Sequence, residues 1–286
     1  MKQPAWRIAL VITALMFTPP MVFAESAADG DAKIKPGENS KEELAKAAQN
    51  PVADMISLPL QNNTNFGYGP DDDIQNVLNI QPVIPFQLNE NWNLITRTIA
   101  PLVYQPEVVE GSGDEFGLGD INFTAFISPK NPTKGIIWGV GPIFVFPTAT
   151  DEKLGSEKWS IGPSAVALTI QGPWLFGALI NNVWSFAGDD DREDVNAMLI
   201  QPFLNYNLPD GWYLSSSPII AENWEAGSDY TWLVPVGSGV GNQPMNAQAQ
   251  AFYNVEKPEV GGLVLEISAA VFVSLRQVNP SMAIIG

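Results

Sequence analysis

Alternation with a period of two is the feature that most restricts this chain. From Val52 onward, apolar and polar residues alternate in about twelve segments of roughly 10–14 residues. Between Met245 and Val255, Met245, Ala247, Ala249, Ala251, Tyr253 and Val255 share one face, and Asn246, Gln248, Gln250 and Asn254 share the other. In "GLGDINFTAFIS", Ile121, Phe123, Ala125 and Ile127 oppose Asp120, Asn122, Thr124 and Ser128. Successive side chains of a strand point to opposite faces, so each segment reads as an amphipathic strand. Strands of globular proteins centre near five or six residues, about half this length. The segments match instead the ~9–11 residues that a tilted strand needs to cross a bilayer.

One such strand is written twice. "NIQPVIPFQLNENW" (79–92) and "LIQPFLNYNLPDGW" (199–212) align at a constant offset (212 − 92 = 120). In both, the even positions are apolar, which assigns Ile80, Ile84, Phe86, Ile200, Leu204 and Tyr206 to lipid. Gln81, Gln87, Gln201 and Asn205 then face a lumen. The connections between segments also alternate in kind. Short turns at 89–91, 130–134, 171–173, 209–211 and 241–243 alternate with longer acidic loops at 69–73, 105–116, 150–158 and 188–194. Short periplasmic turns and longer outer loops are the asymmetry of an outer-membrane barrel. Trp92, Trp174 and Trp212 follow short turns, while Trp159, Trp184, Trp224 and Trp232 lie near the long-loop ends. Two interfacial aromatic bands account for that distribution better than the core anchors of a β-sandwich do.

The N-terminus agrees with export. Lys2 and Arg7 precede a short apolar run, Ile8–Phe17, and Val22-Phe23-Ala24 presents small residues at the −3 and −1 positions of a cleavage site. Residues 1–24 are read as a cleaved signal peptide and 25–39 as a flexible linker. Residues 40–51 read as a short helix opened by a Ser40/Glu43 capping box and closed by Asn50-Pro51. It is too short to stand alone in water and is a candidate plug. The barrel occupies 52–273, and 274–286 form a tail.

Charge and missing residue types exclude whole classes of function. The net charge is −17, and loss of Lys2 and Arg7 makes it −19, which argues against nucleic acid as a partner. The absence of His and Cys removes Ser-His-Asp and Cys-His catalysis and histidine metal sites. No catalytic set, metal site or cofactor is expected, and the chain reads as a non-enzyme. Asp71–Asp73 and Asp189–Asp191 lack EF-hand spacing and read as solvated acidic loops. The glycines of 111–120 and of 239–241 lack the Lys and the helix of a phosphate loop.

Inside the barrel, Arg97 shares the parity of Asn93, and Asp120 that of Asn122 and Thr124. With Gln81, Gln201 and Asn205 they are the candidate solute path. Arg97 and Asp120 are read first as members of an internal polar network, since lumen charges commonly pair. Pro82, Pro142, Pro163, Pro202, Pro218 and Pro235 each sit mid-segment, about six to eight residues from a short turn. Each lacks a ladder donor and is expected to mark a bulge or a local break in pairing. Together they suggest a belt of irregularities that shapes a constriction or a lateral opening.

Several runs of the chain also carry a family resemblance. "KEELAKAAQNPVADMISLPLQNNTNFGYGP", "NWNLITRTIAPLVYQP", "GLGDINFTAFISP", "WGVGPIFVFPTATDEKLGSEKWSIGPS", "NWEAGSDYTWLVPVGSGVG" and "AFYNVEKP" resemble a family of bacterial outer-membrane proteins. Its members are labelled for the MetA pathway of phenol degradation, and some carry the label neuromedin U. The resemblance spans nearly all of Leu44–Pro258. It implies a membrane β-barrel and uptake of small organic compounds, aromatic or hydrophobic ones among them. The turn at Gly241–Pro244 is shorter than is usual in that family, and the tail is atypical.

The resulting expectation is an all-β, antiparallel outer-membrane barrel of about twelve strands. It would lie against outer-membrane lipid and lipopolysaccharide and pass small organic solutes without energy coupling. Its oligomeric state is not legible from the sequence. The alternative is a non-transporting barrel whose acidic extracellular loops bind a partner or cations.

Overall fold

The computed structural model describes residues 49–52, 56–68, 71–108, 111–132, 134–226, 232–242, 247–256 and 263–273, with side chains through Asn254. The signal peptide, the linker, most of the 40–51 helix and the 274–286 tail lie outside these residues. In chain order the strands are β1 (Ile56–Tyr68), β2 (Asp73–Ile80), β3 (Val83–Gln87), β4 (Trp92–Gln105), β5 (Glu115–Leu118), β6 (Ile121–Pro129), β7 (Ile136–Phe146) and β8 (Lys158–Gln171). Next come β9 (Trp174–Gly188), β10 (Asn196–Asn207), β11 (Trp212–Ser216), β12 (Ile220–Asn223), β13 (Trp232–Asn242), β14 (Ala247–Glu256) and β15 (Leu263–Val273). These fifteen strands make twelve crossings of the wall, because β2 with β3, β5 with β6, and β11 with β12 are halves of single interrupted crossings.

All pairings are antiparallel, and the sheet closes on itself. β1 pairs β15 from Ile56↔Val273 to Phe66↔Leu263, and β9 pairs β10 from Trp174↔Tyr206 to Trp184↔Asn196. Closure is dictated by the solvent: a strand edge in hydrocarbon would leave a row of backbone groups without partners. Short turns reverse the chain at one end. Lys134-Gly135 and Asp210-Gly211 each place two successive residues at positive φ, the twist that matches a tight hairpin between right-twisted strands.

The barrel is apolar on both sides of its wall, for different reasons. Outward positions carry Ile84, Phe86, Leu204, Val236 and Val240, all solvent-accessible in the absence of lipid. Phe86 is 50% exposed and Val236 59%, values that no water-soluble sheet would tolerate in number. Inward positions near the short-turn end form a continuous apolar cluster of Val83, Ile95, Phe126, Val166, Leu168, Leu175 and Leu179. Val52, just before β1, is packed into this cluster.

The interruptions are of two physical kinds. Around Pro82 the alignment with β4 is the same on both sides of the gap, with Asn79↔Pro101 on β2 before it and Val83↔Arg97 on β3 after it. Gln81 still donates to the Pro59 carbonyl and Thr98 to that of Pro82, so only the proline's own missing donor is lost. Pro202 lies on the alignment that joins Ile200↔Ile220 to Leu204↔Ser216, opposite Pro218, and pairing is absent between those two points. Pro142 faces Pro163 across β7 and β8. Pairing with β6 lapses beside Pro142, and pairing with β9 lapses beside Pro163. The other kind is a true bulge. Val103↔Gly117 and Ile99↔Asn122 differ by one residue, so Gly119-Asp120 holds an extra residue between β5 and β6. Register also shifts beside Pro235, on the β14 side.

Close approach at these lapses requires glycine. A Cβ at Gly162 would collide with the carbonyl of Asn182 on β9. Gly162→Ala is therefore expected to destabilise the barrel by ~1–3 kcal/mol, the usual cost of overpacking, read as a lower denaturant midpoint of the folded, heat-modifiable form. An unchanged midpoint would show that β8 and β9 can separate there freely.

Candidate functional site

The lumen is built from the inward residues of every crossing. On the β1–β4 wall, Gln81 donates Nε2 to Gln61 Oε1 (2.9 Å), and Arg97 donates Nη2 to Gln81 Oε1 (2.7 Å). Gln81 is buried, and Arg97 is half-buried with Asn93 and Ile95 below it on the same face. Thr124 stands opposite Arg97 on β6 and is buried, and Asn122 donates to the carbonyl of Asp120 (3.3 Å). Gln201 faces inward within the lapse beside Pro202.

The opposite wall carries a second network. Asn205 is buried and accepts from Ser215 Oγ (2.7 Å), and its Nδ2 donates to Gln49 Oε1 (3.1 Å). Gln49 in turn donates to Asn207 Oδ1 (2.9 Å). The segment before β1 is thus tied to β10 by two hydrogen bonds between side-chain amides and to the apolar cluster by Val52. Farther round, Tyr213 donates to Gln248 Oε1 (3.0 Å), and Gln250 accepts from the Ser217 backbone (3.1 Å). Both contacts pass over β13, where Gly237, Gly239 and Gly241 face inward. A Cβ at Gly241 would collide with the Tyr213 ring.

Asp120 does not reach into the open lumen. Its carboxylate accepts from the Ala149 backbone (3.2 Å) and from both the backbone (2.7 Å) and the hydroxyl (2.8 Å) of Ser156. The bulge turns Asp120 toward the 147–157 loop and fastens it, aided by Thr150 N to the Leu118 carbonyl (2.9 Å) and Ile121 N to Thr148 Oγ1 (2.9 Å). A second clip joins this loop to 189–195. Arg192 pairs Glu157 (3.3 Å) and donates to the carbonyls of Gly155 (2.6 Å) and Glu152 (2.9 Å). Lys158, buried in the wall, reaches Asp194 Oδ1 (3.2 Å). Under these loops lies a cavity of about 650 Å³, bordered by Ser156, Asp194, Val195, Ala197, Ala221 and Leu233. Among the described residues no cluster of carboxylates is spaced to hold a metal ion.

Trp174 and Trp212 are exposed at the short-turn end, and Trp159, Trp184 and Trp224 at the other. Trp92 and Trp232 are half-buried. Trp92 packs edge-on against Trp138 (centroids 5.8 Å apart), a further band member that the alternation does not single out although it comes after the 130–135 turn. Lys158 and the β13 glycines are likewise absent from the sequence-based candidates. Lys158 pairs with a residue 36 positions away, and the glycines matter only because other strands' side chains cross them.

Known proteins share this geometry. A family model described as "Putative MetA-pathway of phenol degradation" matches residues 62–216. The chain belongs to that family. No curated protein sequence matches it. Among solved structures it is similar to an outer membrane channel from Pseudomonas putida F1, at 16% identity and a TM-score of 0.58, covering 77% of this chain and 96% of that one. It is also similar to outer membrane phospholipase A from Escherichia coli, at 12% identity and a TM-score of 0.43, covering 77% and 92%. At such identities the likeness concerns the fold, and the first match supports the outer-membrane barrel that the apolar exterior and the two Trp bands require.

The loop clip gives a pH prediction. A hydrogen bond from Lys158, then that ammonium's charge, then a bond from Ser185 hold the Asp194 carboxyl below the ordinary aspartate range. A carboxylate lowered in the folded state contributes its contact fully above the unfolded value, and the contact is lost as pH falls through the folded one. Protection of the 189–195 amides from hydrogen exchange, corrected for the intrinsic rate at each pH, is expected to be present near pH ~6 and to be lost as pH falls well below the ordinary carboxylate range of about 4. Lys158→Gln should abolish the difference.

Proposed function

We propose that this barrel passes small organic molecules with apolar bodies across the outer membrane, passively and without a catalytic step. The observation that carries this reading is the apolar cluster on the inside of the wall. The lumen of a water-filled porin is polar, and there seven large inward aliphatic and aromatic residues would serve no hydrated solute. A solute with an apolar body gains contact there, while the amides of Gln81, Gln201 and Asn205, with Arg97, Asn122 and Thr124, offer polar contacts along the same path. Membership of the family fits aromatic compounds as one such class. The prolines Pro82, Pro142, Pro163, Pro202, Pro218 and Pro235 give the wall its weak points, and those opposite each other at 202 and 218 are the place where it would open most readily.

The segment around 40–51 acts as the plug in this proposal. Gln49 and Val52 anchor its end on β10 and in the apolar cluster. Passage then requires the segment to shift, and solutes that compete for the cluster favour that shift.

Expression of the protein in cells with an intact lipopolysaccharide leaflet is expected to raise the initial uptake rate of a radiolabelled aromatic solute such as toluene several-fold. Arabinose uptake should stay at the background rate. Unchanged uptake of every apolar solute would contradict the proposal. Equal enhancement of arabinose would indicate an ordinary water-filled pore.

A further inference from the structure

We propose that Arg97 is a head-group site for a small carboxylate with an apolar body, such as an aromatic acid. This rests on the passage reading above and names the solute class that the lumen holds best. The cations at the mouth are paired, Lys158 with Asp194 and Arg192 with Glu157. Arg97 is different. It points inward from the middle of β4, is half-buried, and has no carboxylate within ion-pair reach among the described residues. Its hydrogen bond goes to Gln81, a neutral amide already held by Gln61.

A guanidinium cannot shed its proton, so burial leaves its charge in place. Held inside a membrane barrel with no counter-charge among the described side chains, it is costly, and such a residue marks a ligand or ion path by default. The remaining arms of its fork match a carboxylate in two parallel hydrogen bonds, a geometry that an ammonium does not offer.

The surroundings decide which kind of body the carboxylate should carry. Val83 stands directly opposite Arg97 on β3, and one step below on the same face Ile95 pairs with Phe126. These three belong to the apolar cluster that includes Val52. A ligand with a charged head and an apolar body would therefore place the head on Arg97 and the body against the cluster, in competition with Val52. A fully hydrated anion gains only the first contact, and a neutral hydrocarbon only the second. The acidic outer loops would oppose anions at the mouth, but exposed charges beyond about 8–10 Å are largely screened at physiological salt.

The test is equilibrium binding to the purified full chain by calorimetry, with benzoate, benzyl alcohol and benzylammonium as probes. The wild-type protein should bind benzoate at least about tenfold more tightly than either isostere, the scale of a bidentate charged pair. Arg97→Gln should remove that preference and leave benzyl alcohol within about twofold. Arg97→Lys, which keeps the charge and loses the fork, should retain part of it. Equal affinities for benzoate and benzylammonium in the wild type, or a benzoate preference that survives Arg97→Gln, would overturn the assignment. The wild-type and Arg97→Lys comparisons decide the matter if Arg97→Gln does not reach the heat-modifiable form. No benzoate preference in the wild type beside normal toluene uptake sinks the head-group site alone. A preserved preference without uptake sinks the passage reading and leaves the site standing.

Discussion

Hydrocarbon offers a backbone amide no partner, and the rest of this structure depends on that constraint. Every crossing must be paired on both sides, so the first strand must meet the last, and β1 lies along β15 over eleven residue pairs. An even number of crossings is what permits that pairing to be antiparallel. The same constraint governs the prolines. A residue without an N–H can sit in such a wall only where its neighbours keep the alignment, as Gln81 and Thr98 do on either side of Pro82. Opposing Pro202 with Pro218 gathers two missing donors into one lapse, whereas Pro142 and Pro163 stay paired with each other and each interrupts the ladder on its other side.

Closure creates an inside, and the chain divides it by height. Toward the short turns, inward aliphatic and aromatic residues of β3, β4, β6, β8 and β9 pack with Val52 into a core, beside the amide network of Gln49, Asn205 and Asn207. Toward the long loops they give way to amides, hydroxyls and the clipped charges Lys158 and Arg192. The bulge at Gly119-Asp120 links the two regions. Its extra residue breaks the ladder just where the 147–157 loop returns, and Asp120 uses both carboxylate oxygens to hold that loop over the mouth. One irregularity in register thus becomes the fastening of a long loop.

Much of this was legible from alternation alone. Twelve crossings, the inward parity of Arg97, Gln81 and Asn205, and the outward parity of Ile84, Phe86 and Leu204 all derive from a period of two. What alternation could not show is contact between distant residues. The segment 116–129 reads as one strand because Asp120 keeps the parity of Asn122, and the extra residue appears only when β4 is laid beside it. The Gly-Val-Gly at 239–241 has no local meaning. Its role is to leave room for Tyr213 and Gln250, from strands on either side of β13. The docking of Gln49 and Val52 is equally silent in sequence, since nothing near residue 50 names β10 as its partner.

Barrel closure is the central claim, and the natural absence of cysteine makes it directly testable. Leu60 and Ala269 are register partners on β1 and β15. Directly opposed residues of an antiparallel pair have Cα atoms about 4.5–5.5 Å apart, within the reach of a disulfide. The double variant Leu60→Cys, Ala269→Cys, assembled in outer membranes and oxidised, should form an intramolecular disulfide in most molecules. The two halves should then stay joined after the 188–194 loop is cut by protease. Cysteines that stay reduced, or link only between molecules, would contradict a wall closed by β1 and β15.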